Sequence, residues 1–226
     1  GILNPIETYA DLAARAGIVL MVDAMSSFGG YEIDIAALPA TYLVASSNKC
    51  LEGTPGLGFV IANRAHLQTT QGIARSVSLD LLAQWEGLNR NGQFRFTPPT
   101  HVLLAFHKAL ELLEEEGGVS ARAARYQARN TQVISGMTEL GYEPYIDAAL
   151  RSHIITTFRY PDKDFDFEAF YTALAAKGLV IYPGKLTEVD CFRIGNIGAL
   201  TKADVDELLS VVGELTASRS GHPCRT

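Results

Sequence analysis

The chain has 226 residues, of which 47% are hydrophobic, and its formal net charge is −6. This length and composition allow one large domain or two small ones with a sizeable core. The acidic balance argues against nucleic acid or an anionic membrane as a partner and favours small molecules. The three cysteines have no paired spacing and no apolar run approaches the roughly 20 residues of a membrane span, so we expect a cytoplasmic protein without a metal site.

The first half of the chain alternates between helix and strand patterns. Residues 5–16 have helical apolar spacing that ends at a glycine, and residues 18–23 have the composition of a parallel strand covered on both faces. A glycine turn over residues 26–30 precedes strands over 42–45 and 59–62. The glycines between these last two strands are followed by a strand, whereas a nucleotide phosphate loop precedes a helix, so no such loop is predicted.

A longer helix follows, with Thr100 as the predicted N-cap, and it ends near Gly117-Gly118. We predict the domain boundary at these glycines. Beyond them the pattern indicates a mixed α+β region with a disordered tail. Its predicted elements are a helix over 120–140, a strand over 154–158, a helix over 166–176, strands over 179–182 and 192–194, a helix over 203–215, and a tail from Ser218.

Two of the predicted strands end in charged or polar side chains. One ends at Asp23, and the other leads into Ser46-Ser47-Asn48-Lys49. Ligands of open α/β sheets bind beyond the carboxyl ends of the strands, so we expect Asp23 and Lys49 to meet at one crevice. Pyridoxal phosphate (PLP) chemistry needs a lysine amine for the cofactor aldehyde and a carboxylate that keeps the ring nitrogen protonated. Spacing alone leaves open an ordinary strand-end salt bridge and a surface lysine.

Four stretches carry a resemblance to a known family: Gly1–Ile6, Val22–Gly30, Ser46–Cys50 and Arg193–Gly198. They resemble the 2-aminoethylphosphonate:pyruvate transaminases, which are class V, fold type I PLP-dependent aminotransferases. The resemblance runs to about Leu215. It implies an α/β, fold type I PLP-transferase in which residues 1–117 form the C-terminal part of the large mixed-sheet domain. Residues 118–226 would then form a small α+β C-terminal domain.

The same resemblance implies roles for individual residues. Lys49 would hold the cofactor covalently and move protons, and Asp23 would bind the ring nitrogen. Met25 would lie against the ring, with a simple core methionine as the alternative. The phosphate of the cofactor would be bound by Asn48 or Ser46 of the same subunit.

Three further residues complete the implied site. Thr97 would reach the cofactor phosphate of the neighbouring subunit in a homodimer, and Arg95 is an alternative cation at the rim. Arg193 would clamp the acid group of the substrate, because planar guanidinium donors match two oxygens at once. A surface ion pair is the alternative for Arg193.

The implied reaction is transfer of the amino group of 2-aminoethylphosphonate to pyruvate, which gives phosphonoacetaldehyde and alanine. Alanine:glyoxylate and serine:pyruvate aminotransferases of the same fold, and a truncated non-catalytic remnant, remain alternatives. A cysteine desulfurase is disfavoured because Asn48, and not a histidine, precedes Lys49. We expect an N-terminal part with a Gly-rich phosphate-binding turn to be missing, and the chain alone to be inactive.

Overall fold

The computed structural model of the chain describes residues 1–184, 186 and 188–220. The chain divides into two units, one formed by Pro5–Val119 and the other by Gly1–Asn4 together with Ser120–Thr226. The first four residues therefore pack with the later unit. The assignment of residues 1–117 and 118–226 to a large and a small domain stays a prediction.

The Pro5–Val119 unit contains a three-stranded sheet. Its elements are α1 (Ile6–Ala16), β1 (Met21–Asp23), β2 (Tyr42–Ser46), β3 (Gly58–Ala62), α2 (Arg64–Leu67), α3 (Leu81–Asn91) and α4 (Thr100–Glu116). The strand order is β1-β2-β3, with β1 parallel and β3 antiparallel to β2. Asp23 pairs with Val44, so the carboxyl ends of β1 and β2 lie side by side, as predicted.

The helix ends of this unit follow the predicted glycines. Gly17 and Gly117 terminate α1 and α4 in the left-handed region, at φ values of 64° and 109°. The prediction that Thr100 is an N-cap is wrong. Pro99 occupies the cap position, and Thr100 is already the first residue of α4. The ring of Pro99 fixes its φ, here −75°, so the chain is prepared for a helix without a side-chain cap.

The prediction that residues 18–23 form a strand covered on both faces is also wrong. The strand begins only at Met21, and Ile18 and Met21 are 64% and 69% exposed. Only Val22 of β1 is buried. Within the described part of the chain β1 is an edge strand paired with β2 alone, and an edge strand lacks the neighbours that cover both faces.

The other unit packs its own antiparallel sheet against helices. Its elements are α5 (Gly118–Glu139), β4 (Ile155–Arg159), α6 (Phe167–Ala176), β5 (Tyr182–Pro183), β6 (Cys191–Gly195) and α7 (Lys202–Ser220). The strand order is β4-β6-β5. Tyr142, Phe158 and Phe192 are 0% exposed and pack within one aromatic cluster. This cluster fixes β6, the strand that carries Arg193.

Two boundaries in this unit differ from the prediction. The strand predicted over 179–182 is limited to Tyr182–Pro183, because these two residues are the ones that pair with β6, while Val180 is 69% exposed. Helix α7 continues to Ser220, so the predicted disorder is wrong for residues 218–220, and residues 221–226 lie outside the described part. No helix among the described residues has the length and apolar character to cross a membrane.

Candidate active site

The loops that follow β1 and β2 leave the sheet together. Beyond the last strand pair, the backbone N–H of Ala24 still donates to the carbonyl of Val44 at 2.8 Å. The loop after Asp23 then turns back, with the N–H of Phe28 bonded to the carbonyl of Ala24 at 2.8 Å. The two segments that carry Asp23 and Lys49 therefore start from adjacent positions at one sheet edge.

The segment around Lys49 is anchored by the side chains that point inward. Ser47 is 0% exposed, and its Oγ donates to the carbonyl of Thr54 at 2.6 Å. Cys50 is also 0% exposed, and its Sγ donates to the carbonyl of Ser26 at 3.3 Å. This second contact joins the segment to the loop after Asp23. Sequence reasoning grouped Ser47 with its polar neighbours and missed this anchoring role.

The neighbouring side chains point outward. Asn48 and Lys49 are exposed, and the N–H of Glu52 donates to the carbonyl of Lys49 at 2.9 Å, which closes a turn. Glu52 has a φ of 58°, a left-handed value that is uncommon for a residue other than glycine. The Lys49 Nζ forms neither a hydrogen bond nor an ion pair with any residue that the structure describes. The turn thus presents an amine that is not used in holding the fold.

Asp23 presents a carboxylate at the end of the neighbouring strand, β1. It is exposed, and its Oδ1 accepts a hydrogen bond from the backbone N–H of Met25 at 2.9 Å. Neither a second hydrogen bond nor an ion pair to Asp23 occurs in the described ranges. The ordinary strand-end salt bridge, which the spacing left open, is therefore not formed here. Met25, the residue after Ala24, is 37% exposed.

A close packing contact holds the Lys49 turn against the Asp23 loop. Gly29 has a φ of 86°, and a Cβ there would lie 2.6 Å from the Cδ2 of the buried Leu51. We expect Gly29→Ala to cost about 1–2 kcal/mol for its left-handed backbone and roughly 1–3 kcal/mol more for the overlap with Leu51.

Gly72 supplies a matched control for this prediction. Its φ is 77°, and nothing lies within 4 Å of a Cβ built on it. Urea unfolding of both alanine variants should show the larger loss for Gly29→Ala. Equal losses would mean that Leu51 does not hold the two loops together.

Thr97 and Arg95 lie in the same unit but are not joined to the Lys49 turn. They line a concave, exposed surface formed by residues 92–98. Arg95 donates from Nη1 to the carbonyl of Val77 at 2.8 Å, and its guanidinium lies 5.1 Å from the ring centroid of Phe96. Among the described residues no hydrogen bond links Thr97 to Asp23 or Lys49. Its cofactor role stays a prediction.

Arg193 belongs to the other unit. On β6 it pairs with Thr157 of β4 and with Tyr182 of β5. Its Nε donates to the carbonyl of Pro183 at 3.1 Å, and its guanidinium carbon lies 5.8 Å from the ring centroid of Tyr182. Sequence reasoning missed Tyr182 because its pairing depends on a strand register that the sequence does not reveal.

Comparison with known sequences places most of the chain in one family. The family Aminotransferase class-V matches residues 1–208. A 2-aminoethylphosphonate–pyruvate transaminase from Vibrio vulnificus (strain CMCP6) is 50% identical over 214 residues, which is 94% of this chain and 58% of that protein. One from Bacillus cereus (strain ATCC 10987 / NRS 248) is 51% identical over 215 residues, 95% of this chain and 59% of that protein. The chain thus spans less than two thirds of the length of these relatives.

A solved structure supports the same conclusion about the fold. Pyridoxamine-pyruvate aminotransferase from Mesorhizobium loti matches 99% of this chain and 58% of its own, with a TM-score of 0.86 and 27% identity. The predicted fold class, an α/β fold type I PLP-transferase, is confirmed. Taken with the family match over residues 1–208, these similarities establish that the chain belongs to the class V aminotransferase family.

Proposed function

We propose that the protein carrying this chain transfers the amino group of 2-aminoethylphosphonate to pyruvate with the help of PLP, giving phosphonoacetaldehyde and alanine. One observation carries the proposal. Asp23 ends β1 and Lys49 follows the adjacent end of β2, and within the described residues the Lys49 Nζ and the second carboxylate oxygen of Asp23 form no hydrogen bond. The nearby Ser47 and Cys50 side chains, in contrast, are bonded inward. The relatives from Vibrio vulnificus and Bacillus cereus carry the name of this activity.

The side chains at this sheet edge fit PLP. Lys49 would hold its aldehyde carbon covalently, and the second carboxylate oxygen of Asp23 would accept a hydrogen bond from its ring nitrogen. Ser46 and Asn48 are suited to the phosphate, because neither side chain is hydrogen-bonded within the described residues. Met25, partly exposed beside Asp23, would pack on the ring. Bound PLP supplies an electron sink for the substrate carbon.

The side chains of this chain would then perform two tasks. Once the amine of the substrate has displaced it from the cofactor, Lys49 Nζ would be free to remove a proton from the carbon that bears the substrate's amino group, and to return a proton later. Arg193 would bind the phosphonate or carboxylate through two parallel N–H donors. The hydrogen-bonded turn that carries Lys49 would help this proton transfer, because the amine must be within hydrogen-bond reach of the carbon.

The same proposal assigns the domains, the cellular location and the oligomeric state of the protein. Residues 1–117 would be the cofactor-binding part of the large domain, and residues 118–226 would be the small domain. The protein would act in the cytoplasm as a homodimer in which Thr97 of each subunit binds the cofactor phosphate of its neighbour.

The substrate assignment is tested with two proteins. One is the 226-residue chain itself. The other joins this chain to the portion of the Vibrio vulnificus relative that the chain does not match, and is called the extended enzyme below. We expect the extended enzyme to form alanine from 2-aminoethylphosphonate and pyruvate. Its kcat/KM for this pair should be at least about tenfold higher than its kcat/KM for alanine with glyoxylate or for serine with pyruvate. Such a preference corresponds to about 1.4 kcal/mol. A preference for either of the other pairs would replace the proposed substrates. Absence of all three activities, with no PLP bound, would favour a non-catalytic role.

A further inference from the structure

Arg193 lies on the sheet face that points away from the aromatic core. Its neighbours along β6, Phe192 and Ile194, are 0% and 5% exposed and belong to the core cluster. Side chains alternate along a strand, so Arg193 points to the opposite face. Tyr182 is its direct partner on β5, and directly opposed residues share a face of the sheet.

Two contacts hold the guanidinium of Arg193 on this face. Its carbon lies 5.8 Å from the ring centroid of Tyr182, within the distance of about 6 Å that defines a cation–π contact. Its Nε donates to the carbonyl of Pro183, the residue after Tyr182, at 3.1 Å. Adjacent residues of one short strand therefore supply both contacts.

These contacts leave the far edge of the guanidinium unused. Among the described residues, neither Nη1 nor Nη2 of Arg193 forms a hydrogen bond or an ion pair. An acid group binds a guanidinium most strongly through two parallel N–H donors, and the two terminal nitrogens form such a pair. Because the Tyr182 ring contacts the guanidinium plane and Nε is hydrogen-bonded, Nη1 and Nη2 point in a fixed direction.

The position of the Tyr182 ring also depends on Gly195. A Cβ built on Gly195 would lie 3.7 Å from Cε2 of Tyr182, so the ring covers the strand at the residue two places after Arg193. That distance is an ordinary van der Waals contact, and a methyl group fits there. A branched side chain at this position would displace the ring from Arg193.

We propose that Tyr182 is a positioning residue for acid-group recognition. The face of its ring holds the Arg193 guanidinium so that Nη1 and Nη2 meet a phosphonate or carboxylate together. This inference rests on the proposed function, in which Arg193 binds the acid group of the substrate. The ring and not the hydroxyl performs the role, because the hydroxyl of Tyr182 has no hydrogen-bond partner among the described residues and the side chain is 53% exposed.

The test measures the order of the Arg193 side chain directly. Nuclear magnetic resonance of the 226-residue chain reports the order parameter and solvent exchange of the Nε–H of Arg193. We expect Tyr182→Leu to lower the order parameter and to speed exchange, and Tyr182→Phe to leave both as in the parent. Gly195→Val should reproduce the loss with Tyr182 intact, and it keeps the test decisive if Tyr182→Leu does not fold.

A second tyrosine–arginine stack provides the matched control. The guanidinium of Arg159 lies 4.7 Å from the ring centroid of Tyr145 in the same unit. Tyr145→Leu should loosen Arg159 and leave the Nε–H of Arg193 unchanged. Arg193 that keeps its order in both Tyr182→Leu and Gly195→Val would overturn the proposal.

Titration with 2-aminoethylphosphonate separates this inference from the function on which it rests. In the extended enzyme we expect Tyr182→Leu to raise the Kd about two- to fivefold, the range for an exposed cation–π contact, and Tyr182→Phe to restore it. If Arg193→Lys leaves the Kd unchanged while Tyr182→Leu still disorders Arg193, the acid-binding role of Arg193 fails and the positioning by Tyr182 stands. If Tyr182→Leu raises the Kd as Arg193→Lys does, with Tyr182→Phe like the parent, both are supported.

Discussion

Lys49→Ala is expected to reduce amino-group transfer by the extended enzyme more than about a thousandfold, since general acid–base catalysis alone contributes about 10²- to 10⁴-fold and the covalent hold on the cofactor is lost as well. The fold should be unaffected. The Lys49 side chain is exposed and its Nζ bonds to nothing in the described ranges, while the turn is held by Ser47 and Cys50. Initial rates of alanine formation and thermal unfolding measure the two quantities separately.

Lys108 is the control for this change, because it is the other lysine of the Pro5–Val119 unit. It is exposed and paired with Glu111 at 3.0 Å, so Lys108→Ala should leave the rate within about twofold and the stability almost unchanged, since exposed ion pairs contribute little. A Lys49→Ala rate within about tenfold of the parent would contradict the assignment of Lys49, given what acid–base catalysis contributes.

Asp23→Asn is expected to lower the rate by about a hundredfold or more, the size seen when a group that stabilises transition-state charge is removed. The substitution isolates the charge. An asparagine Oδ1 can still accept the hydrogen bond from the N–H of Met25, which the Asp23 Oδ1 accepts at 2.9 Å, so the loop geometry is retained. PLP should still attach to Lys49, and the visible absorbance of the lysine-bound cofactor should persist while turnover falls.

Asp34 offers a carboxylate with the same kind of local bonds. Its Oδ1 accepts from the N–H groups of Ala36 and Ala37, both at 3.0 Å. Asp34→Asn keeps these bonds and should leave turnover unchanged, so any general effect of removing a carboxylate from this unit would show in both variants. Asp23→Asn turnover within a few-fold of the parent would show that the Asp23 carboxylate is only structural.

Sequence reasoning recovered those parts of the fold that local patterns determine. The helix that ends at Gly17, the strand leading to Lys49 and the strand predicted over 59–62 agree with α1, β2 and β3. Sequence reasoning failed where contacts with other elements decide whether a strand is buried. The apolar run from Ile18 has the composition of a buried strand, but within the described chain β1 has one strand neighbour, and most of that run is exposed.

The candidate site, like the fold, could be predicted only in part from the sequence. The chemistry of Asp23 and Lys49 could be read from charged residues at the ends of apolar strands, and the parallel pairing of β1 with β2 places those ends together. The inward bonds of Ser47 and Cys50 were not predictable, because small side chains give no periodic signal. The contact between Tyr182 and Arg193 was missed because it depends on a register between two short strands separated in sequence.

We propose that Lys49 is the residue of this chain that binds PLP covalently, and chemical trapping of the bound cofactor tests this assignment most directly. The extended enzyme and the 226-residue chain are each incubated with PLP, reduced with borohydride, digested and mapped by mass spectrometry. Borohydride converts a lysine–cofactor bond into a stable one, so the modified residue is identified and not inferred from activity. We predict that the pyridoxyl group lies on the peptide that contains Lys49 and is absent from that peptide in the Lys49→Ala variant. Modification at Lys108 or another lysine, with Lys49 unmodified in the extended enzyme, would contradict it.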